Sequence, residues 1–458
     1  MRSSRRQTVI RDPVHGDIYL TREELSILDT PEVQRMRGVR QLGTAYLVFP
    51  GATHSRFEHM IGTCHMASRM IEAIERNRLH STTDCQGVSP EEERLIRIAA
   101  LVHDVTHIPF GHNIEDQTGL FQRHDTPARL EQGIRQGVLG ERLAGIGALE
   151  DVLGILGAGP GKDRVPRYWS QIISDTICAD ILDYLKRDAY YTGLELSYDP
   201  RLIQSFRVDR RSGNLYIDVS KRGLVREDVL SEIMRMLEAR YYFSERVYYH
   251  HAKIAAGALV AKAVELALFH GGATEADFLG RTDDSLISFL ESLEYGDEAA
   301  AQRARRLTRR FRSRQLLKRC GVYPLYANRA VQAGLLERFF APGRHLERLD
   351  MEQHLEQEAA RALGHEVDVM LYCPARSMQL KEARIHVRFP GEGRIRPLSD
   401  FRDQIPRISN IEESYENLWK FYVLTSESHP PAIRIVAEIL NQTLEGAVNV
   451  YRVGSAPE

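Results

Sequence analysis

Apolar residues recur at i, i+3, i+4 spacing over 22–42, 56–77, 91–104, 127–153, 167–190, 225–269 and 284–296, and this helical period limits the possible folds more than any other feature. It predicts a mainly α-helical body. Ahead of it, residues 7–20 (QTVIRDPVHGDIYL) alternate apolar and polar around a Pro and a Gly, the pattern of a short β-hairpin. The stretches 154–166 and 271–283 are rich in Gly and polar residues and read as loops between helices. Beyond about residue 365 the segments VDVMLYC, ARIHVRF and FYVLTSE are short and β-rich. An amphipathic helix at 430–445 follows, so a small C-terminal α/β lobe is expected. The chain thus divides into a hairpin segment at 1–21, a helical core at 22–270, a helical extension at 271–365 and the lobe at 366–458.

Composition narrows the class of function. With 61 Lys+Arg against 63 Asp+Glu among 458 residues, the chain is close to neutral, which argues against a dedicated nucleic-acid coat. No apolar run reaches the roughly 18 residues of a membrane span, and the basic start MRSSRRQTVIRDPVHG has no apolar stretch behind it. The five cysteines are widely spaced and form no CxxC pair, so neither a disulfide framework nor a zinc ribbon is indicated. A reducing cytoplasm is the expected compartment, with no membrane partner.

Of 17 histidines, eight (His54, His59, His65, His80, His103, His107, His112 and His124) crowd into residues 54–124, several times an even share. Metal binding or acid–base chemistry is the usual cause. His103 and Asp104 end the apolar run LIRIAALVHD and can offer one nitrogen and one oxygen to a single divalent ion. Alone, such a pair is more often a satisfied polar cap. His59 lies near the start of RFEHMIGTCHMASRMIEAI, whose Ile61, Cys64, Ala67, Ile71 and Ile74 mark the core face. In ISDTICADILDYLKRDAYY, Ile173, Ile177, Asp180, Tyr184 and Asp188 fall at steps of three or four, which puts two carboxylates and a phenol on one face. A carboxylate there is costly unless it is paired with an arginine or bound to metal.

Five ordered stretches, RDPVHGDIYL, LDTPEVQRMRGVRQLG, YLVFPGATHSRFEHMIGT, LVHDVTHIPFGH and ADILDYLKRDAYYTG, resemble the HD-domain deoxynucleoside triphosphate triphosphohydrolases over roughly residues 9–255. The resemblance implies an HD-domain helical core at 22–270. It implies that His59, His103, Asp104 and Asp180 ligate one divalent metal, with Mn, Fe, Zn and Mg all left open. A water activated by that ion would attack the α-phosphorus and expel the nucleoside from tripolyphosphate. His107 and His112 match the further histidines of the family's HDxxHxPxxH stretch. His112 is then the acid for the departing 5′-oxygen, with Glu115 and His124 as supports that set its tautomer. Arg56 and Arg240 fall at phosphate positions. Gln41, Leu42, Tyr184, Asp188 and Tyr248 fall at sugar positions, with Leu42 crowding a 2′-hydroxyl. Asp29, Gln34, Arg37, Arg314 and Lys318 match a regulatory nucleotide site between subunits, so an effector nucleotide and a homo-oligomer, dimer or tetramer, are implied.

The match departs in places. Ile181 stands where known members carry a basic residue that touches phosphate. Thr106 and Ile108 replace glycines and are expected to make the pocket edge bulkier. Arg11 replaces a common Asn of the regulatory region. These departures keep the reaction class but open a second reading, a phosphatase acting on a nucleoside monophosphate or modified nucleotide. The run RARRLTRRFRSRQLLKR at 303–319 holds nine basic residues and reads as a solvated helix face or a nucleic-acid patch. It supports a third reading, a catalytically weak nucleotide sensor or nucleic-acid-binding protein. The full metal set with Arg56 and His112 favours the enzyme, because a sensor has no need of it.

Overall fold

The computed structural model describes residues 8–80, 85–116, 120–160, 162–341, 343–373 and 384–453. Residues 1–7 of the expected hairpin segment, including Gln7, lie outside them. The hairpin pairs β1 (Thr8–Asp12) with β2 (Gly16–Leu20), as the alternation predicted. Among the described residues, no helix is long and apolar enough to cross a membrane.

Helix formation follows the apolar period, but several expected helices are broken where the backbone demands it. Residues 22–42 form α1 (Arg22–Leu28), α2 (Pro31–Arg35) and a 3-10 turn at Met36–Gly38. Pro31 cannot continue α1, yet it suits the first position of a new helix. A capping box on Thr21 and Glu24 starts α1, and another on Ser89 and Glu92 starts α4. The long α3 (Arg56–His80) and α4 (Pro90–Val102) match the expected spans. After the four-residue α5 (His112–Glu115), the run 127–153 splits into α6 (Pro127–Arg135), α7 (Gly137–Gly145) and α8 (Leu149–Ile155). Gly137 and Gly147, at φ +73 and +67, supply the turns.

The run 167–190 also divides, into α9 (Arg167–Ile173) and α10 (Ala179–Thr192), with extended backbone at Ser174 and Cys178 between them. Ile173 and Ile177 are therefore not on the helix of Asp180, Tyr184 and Asp188, contrary to expectation. The run 225–269 becomes α11 (Glu227–Phe243), a π turn at Ser244–Tyr248 and α12 (His251–His270). Buried almost without break from Ile254 to Ala267, α12 runs through a second apolar core. That core is closed by α13 (Ala276–Leu279), a helical turn inside the expected loop at 271–283, with α14 (Asp283–Ser292) and α15 (Glu298–Arg312).

Short strands appear between the segments of helical period. β3 (Cys85–Gln86), β4 (Phe206–Asp209) and β5 (Leu215–Asp218) enter a five-stranded sheet. A ribbon of β6 (Ser220–Lys221) and β7 (Leu224–Val225) follows them in sequence. β8 (Lys318–Pro324) ends the basic run and leads into α16 (Leu325–Phe340) and α17 (His345–Leu363). The C-terminal segment holds β9 (Val369–Tyr372), β10 (His386–Arg388), β11 (Arg396–Pro397), α18 (Pro406–Leu418), β12 (Lys420–Thr425) and α19 (Pro430–Thr443). Its strands serve two sheets. β10 pairs parallel with β5 in the order β11-β10-β5-β4-β3, and β12 lies between β8 and β9. The helical extension and the C-terminal segment thus share one sheet.

Phe421 on central β12 is fully buried, its ring 5.7 Å from Tyr323, 6.4 Å from Phe339 and 5.9 Å from Phe340. We expect Phe421→Ala to cost about 3–5 kcal/mol in chemical denaturation; an unchanged midpoint would show that this aromatic cluster does not hold the lobe.

Candidate metal and active site

Three helix ends converge on one point. α3 brings Arg56 and His59, the end of α4 brings His103 and Asp104, and the first turn of α10 brings Asp180. Donor atoms of His59, His103 and Asp104 lie within 4.8 Å of one another. Asp180 Oδ1 lies 2.9 Å from His59 Nε2 and 3.9 Å from His103 Nε2.

Each ring is held in the tautomer a metal needs. His103 Nδ1 donates to Ala100 O at 2.8 Å, which leaves Nε2 as the lone-pair nitrogen, and that buried atom has no hydrogen-bond partner. His59 Nδ1 donates to Asp183 Oδ2 at 2.8 Å, and its Nε2 faces Asp180 Oδ1 at 2.9 Å, donating to it when the ring is protonated and free to offer a lone pair to a cation when it is neutral. Burial alone would lower the His59 pKa, but hydrogen bonds to Asp180 and Asp183 outweigh it and hold it up at about 10. The site calls for positive charge, and two imidazoles with two carboxylates suit a divalent first-row metal or Mg. Burial also opposes charge on Asp104, yet the Arg56 guanidinium and the rings of His103 and His107 hold its carboxyl well below the usual range. Arg56, expected on phosphate, is buried with Nη1 2.5 Å from Asp104 Oδ2, while its Nε has no partner.

A second group adjoins through the same Asp104. Glu115 on α5 accepts from His107 Nδ1 at 3.0 Å and from His124 Nδ1 at 2.8 Å, and the two rings stack with centroids 3.4 Å apart. Their Nε2 atoms sit 3.5 and 3.8 Å from Asp104 Oδ1. Burial works against the Glu115 charge, but these imidazoles keep its carboxyl far below the ordinary value. The His112 side chain is 46% exposed, and its Nδ1 lies 4.0 Å from Glu115 and 3.7 Å from Asp116. The tight loop before it requires Gly111, at φ +46, where a Cβ would meet the Arg56 guanidinium at 2.8 Å. Thr106 and Ile108 do not thicken the pocket edge as expected. Both are buried; Thr106 donates to His124 O at 2.8 Å, and Ile108 packs in the second core.

The residues expected at the sugar also gather. Asp188 accepts from His54 Nε2 at 2.8 Å and from the Tyr248 hydroxyl at 2.9 Å. Gln41 bonds His54 O through its backbone N at 3.0 Å, its buried Oε1 is without a partner, and Leu42 beside it is buried. Tyr184 places its ring centroid 6.4 Å from that of His59. Arg240 lies among Tyr184, Tyr415 and Tyr248; burial pulls its pKa down, and its electrostatic interactions with these phenols and Asp180 lift it above the ordinary value. Ile181 is buried.

The five regulatory positions are not assembled within one chain. Arg37 donates to Gln34 at 2.8 Å and stacks 3.6 Å over Phe57, while Asp29 is exposed at the end of α1. Arg314 donates to Leu47 O at 2.8 Å and Lys318 begins β8. Among the described residues, no hydrogen bond or ion pair joins these last two to the first three. The basic run is partly neutralised: Arg303 pairs with Glu356, Arg306 with Asp368 at 2.8 Å and Arg312 with Glu291 at 2.8 Å.

Sequence reasoning missed Asp183, Arg187, Asp12 and His15, and it left His54 without a role. Asp183 and Arg187 were visible as an i, i+4 acid–base pair inside an apolar helix, a pattern that is costly unless used. Gly62 on α3 makes room for them, since a Cβ there would run into the Asp183 carboxylate and the Arg187 guanidinium. Gly62→Ala should therefore destabilise the chain by about 1–3 kcal/mol in urea denaturation; wild-type stability would mean that the two helices can part at no cost.

Comparison with known proteins matches residues 56–188 to the HD domain and 219–445 to the HD associated region. The chain is 30% identical over 294 residues to an uncharacterised protein of Methanocaldococcus jannaschii, 62% of this chain and 55% of that one. It is 28% identical over 338 residues to the deoxynucleoside triphosphate triphosphohydrolase SAMHD1 homolog of Dictyostelium discoideum, 69% of this chain and 60% of that one. The matches thus span little more than half the length of these curated relatives. A phosphohydrolase of Bacteroides thetaiotaomicron shares the fold, with a TM-score of 0.62 at 21% identity over 92% of this chain and 100% of that one.

Proposed function

We propose that this chain, a member of the HD-domain family, is a deoxynucleoside triphosphate triphosphohydrolase that releases deoxynucleoside and tripolyphosphate. The observation that carries this reading is the sharing of Asp104 between a two-imidazole, two-carboxylate set and the His107–Glu115–His124 group. His59, His103, Asp104 and Asp180 would hold the divalent ion, which when bound supplies Lewis acidity and lowers the pKa of water. Arg56 offsets the Asp104 charge, and its unpartnered Nε–H is the donor an incoming phosphate would satisfy. Glu115 fixes the His107 and His124 rings so that both Nε2 atoms face the reacting side. His112, exposed enough to meet substrate, passes its proton to the departing 5′-oxygen. Asp188, Tyr248 and Gln41 hold the sugar, and Leu42 denies a 2′-hydroxyl both space and a partner.

One observation favours the second reading, a phosphatase of nucleoside monophosphates or modified nucleotides: Ile181 puts an apolar side chain beside Asp180. A product assay over a nucleotide panel with added Mn decides between them. Tripolyphosphate from dNTPs supports the proposal, and orthophosphate from monophosphates alone supports the alternative. Asp104→Ala should lose bound metal and turnover together, whereas His112→Gln should keep the metal and lose about 100-fold or more in rate. Full metal content in Asp104→Ala would sink the ligand assignment. Leu42→Gly should narrow the preference for dATP over ATP in the same assay; an unchanged ratio rules out Leu42 as the filter.

A further inference from the structure

Given the ligand role proposed above for His59, we infer that His15 on the N-terminal hairpin is a positioning residue for it, acting through Asp183. His15 Nε2 lies 2.7 Å from Asp183 Oδ1 across a sequence separation of 168 residues, with its side chain 4% exposed against a fully buried carboxylate. The other Asp183 oxygen accepts His59 Nδ1 at 2.8 Å. Arg187 closes the arrangement, with Nη2 on Oδ1 and Nε on Oδ2, both at 2.9 Å. Four donors thus meet the four lone-pair sites of one carboxylate, which fixes its plane and, through it, the tautomer and tilt of the His59 ring.

The hairpin is shaped for this contact. Asp12 Oδ1 accepts the backbone N–H groups of Val14 and His15 at 2.9 and 2.8 Å, forming the turn that carries the imidazole. Its other oxygen accepts Arg187 Nη1 at 2.8 Å, so the hairpin grips the same arginine that clamps Asp183. With His15 gone, Oδ1 keeps Arg187 Nη2 alone and the carboxylate is held by three donors instead of four, so its plane is less tightly set. The His59 ring, which would hold the ion, then loses part of its fixed orientation.

The test is Mn(II) affinity of the full chain, by competition with a chromogenic chelator, for wild type, His15→Ala and His15→Gln, together with Co(II) absorption spectra and thermal unfolding of the metal-free proteins. His15→Ala should bind Mn(II) about tenfold or more weakly and shift the Co(II) bands. Gln keeps an N–H donor and should recover most of the affinity. Wild-type affinity in His15→Ala overturns the inference, and so does an equal loss in Ala and Gln, which would trace the effect to ring packing. If His15→Ala does not fold, His15→Phe, a ring without a donor, replaces it with the same expected loss. A wild-type chain that takes up neither ion overturns the ligand reading and this inference with it, a result distinct from tight binding that ignores His15.

Discussion

α3 and α10 meet at Gly62 with no side chain between them, and the rest of the site depends on that closeness. It lets Asp183 and Arg187 lie inside the helical core, against the rings of His59 and His15. Burying such a pair costs several kcal/mol per ion unless every lone pair and proton is met. Here the donors come from three separate parts of the chain, so the cost is offset only when hairpin, α3 and α10 are all in place. The buried charge therefore specifies one docking of these elements more than it adds to stability.

Asp104 extends the same economy to the neighbouring histidines. One carboxylate faces His59 and His103 on one side and His107 and His124 on the other, with Arg56 across it. The His59–His103 side and the His107–His124 side cannot shift independently. Glu115 adds a second brace, gripping two stacked rings by opposite oxygens. Groups braced this way are preorganised, which is the arrangement that electrostatic catalysis favours.

What could be read from the sequence was what local pattern controls. The helical period located α3, α4 and α12, and the dense histidines together with the ordered motifs pointed to the residues that converge at Asp104. Patterns with tertiary causes were not visible. Strands of two to four residues such as β3, β4 and β5 are too short to show a period, and β3 and β5 each have a partner far along the chain. The breaks at Pro31, Gly137 and Ser174–Cys178 hid inside a continuous apolar period, since the period reports which face is buried and not whether the backbone is unbroken. His15 was quoted within a motif without a role because its partner lies on α10. Thr106 seemed an obstruction when seen as a missing glycine, whereas its hydroxyl holds the loop of His124.

The parallel pairing of β10 with β5 has a consequence for how the molecule is made. Arg388 reaches Asp218 across 170 residues, so on the ribosome the edge of β5 is complete long before its neighbour exists. At about 5–20 residues per second the interval is on the order of ten seconds or more. Through it, the nascent core presents an apolar, unpaired strand edge, the surface that invites pairing with a neighbouring chain. Vectorial synthesis thus leaves the edge of β5 to be covered by residues made much later, and a nascent chain that ends before residue 386 carries that edge without its β10 partner.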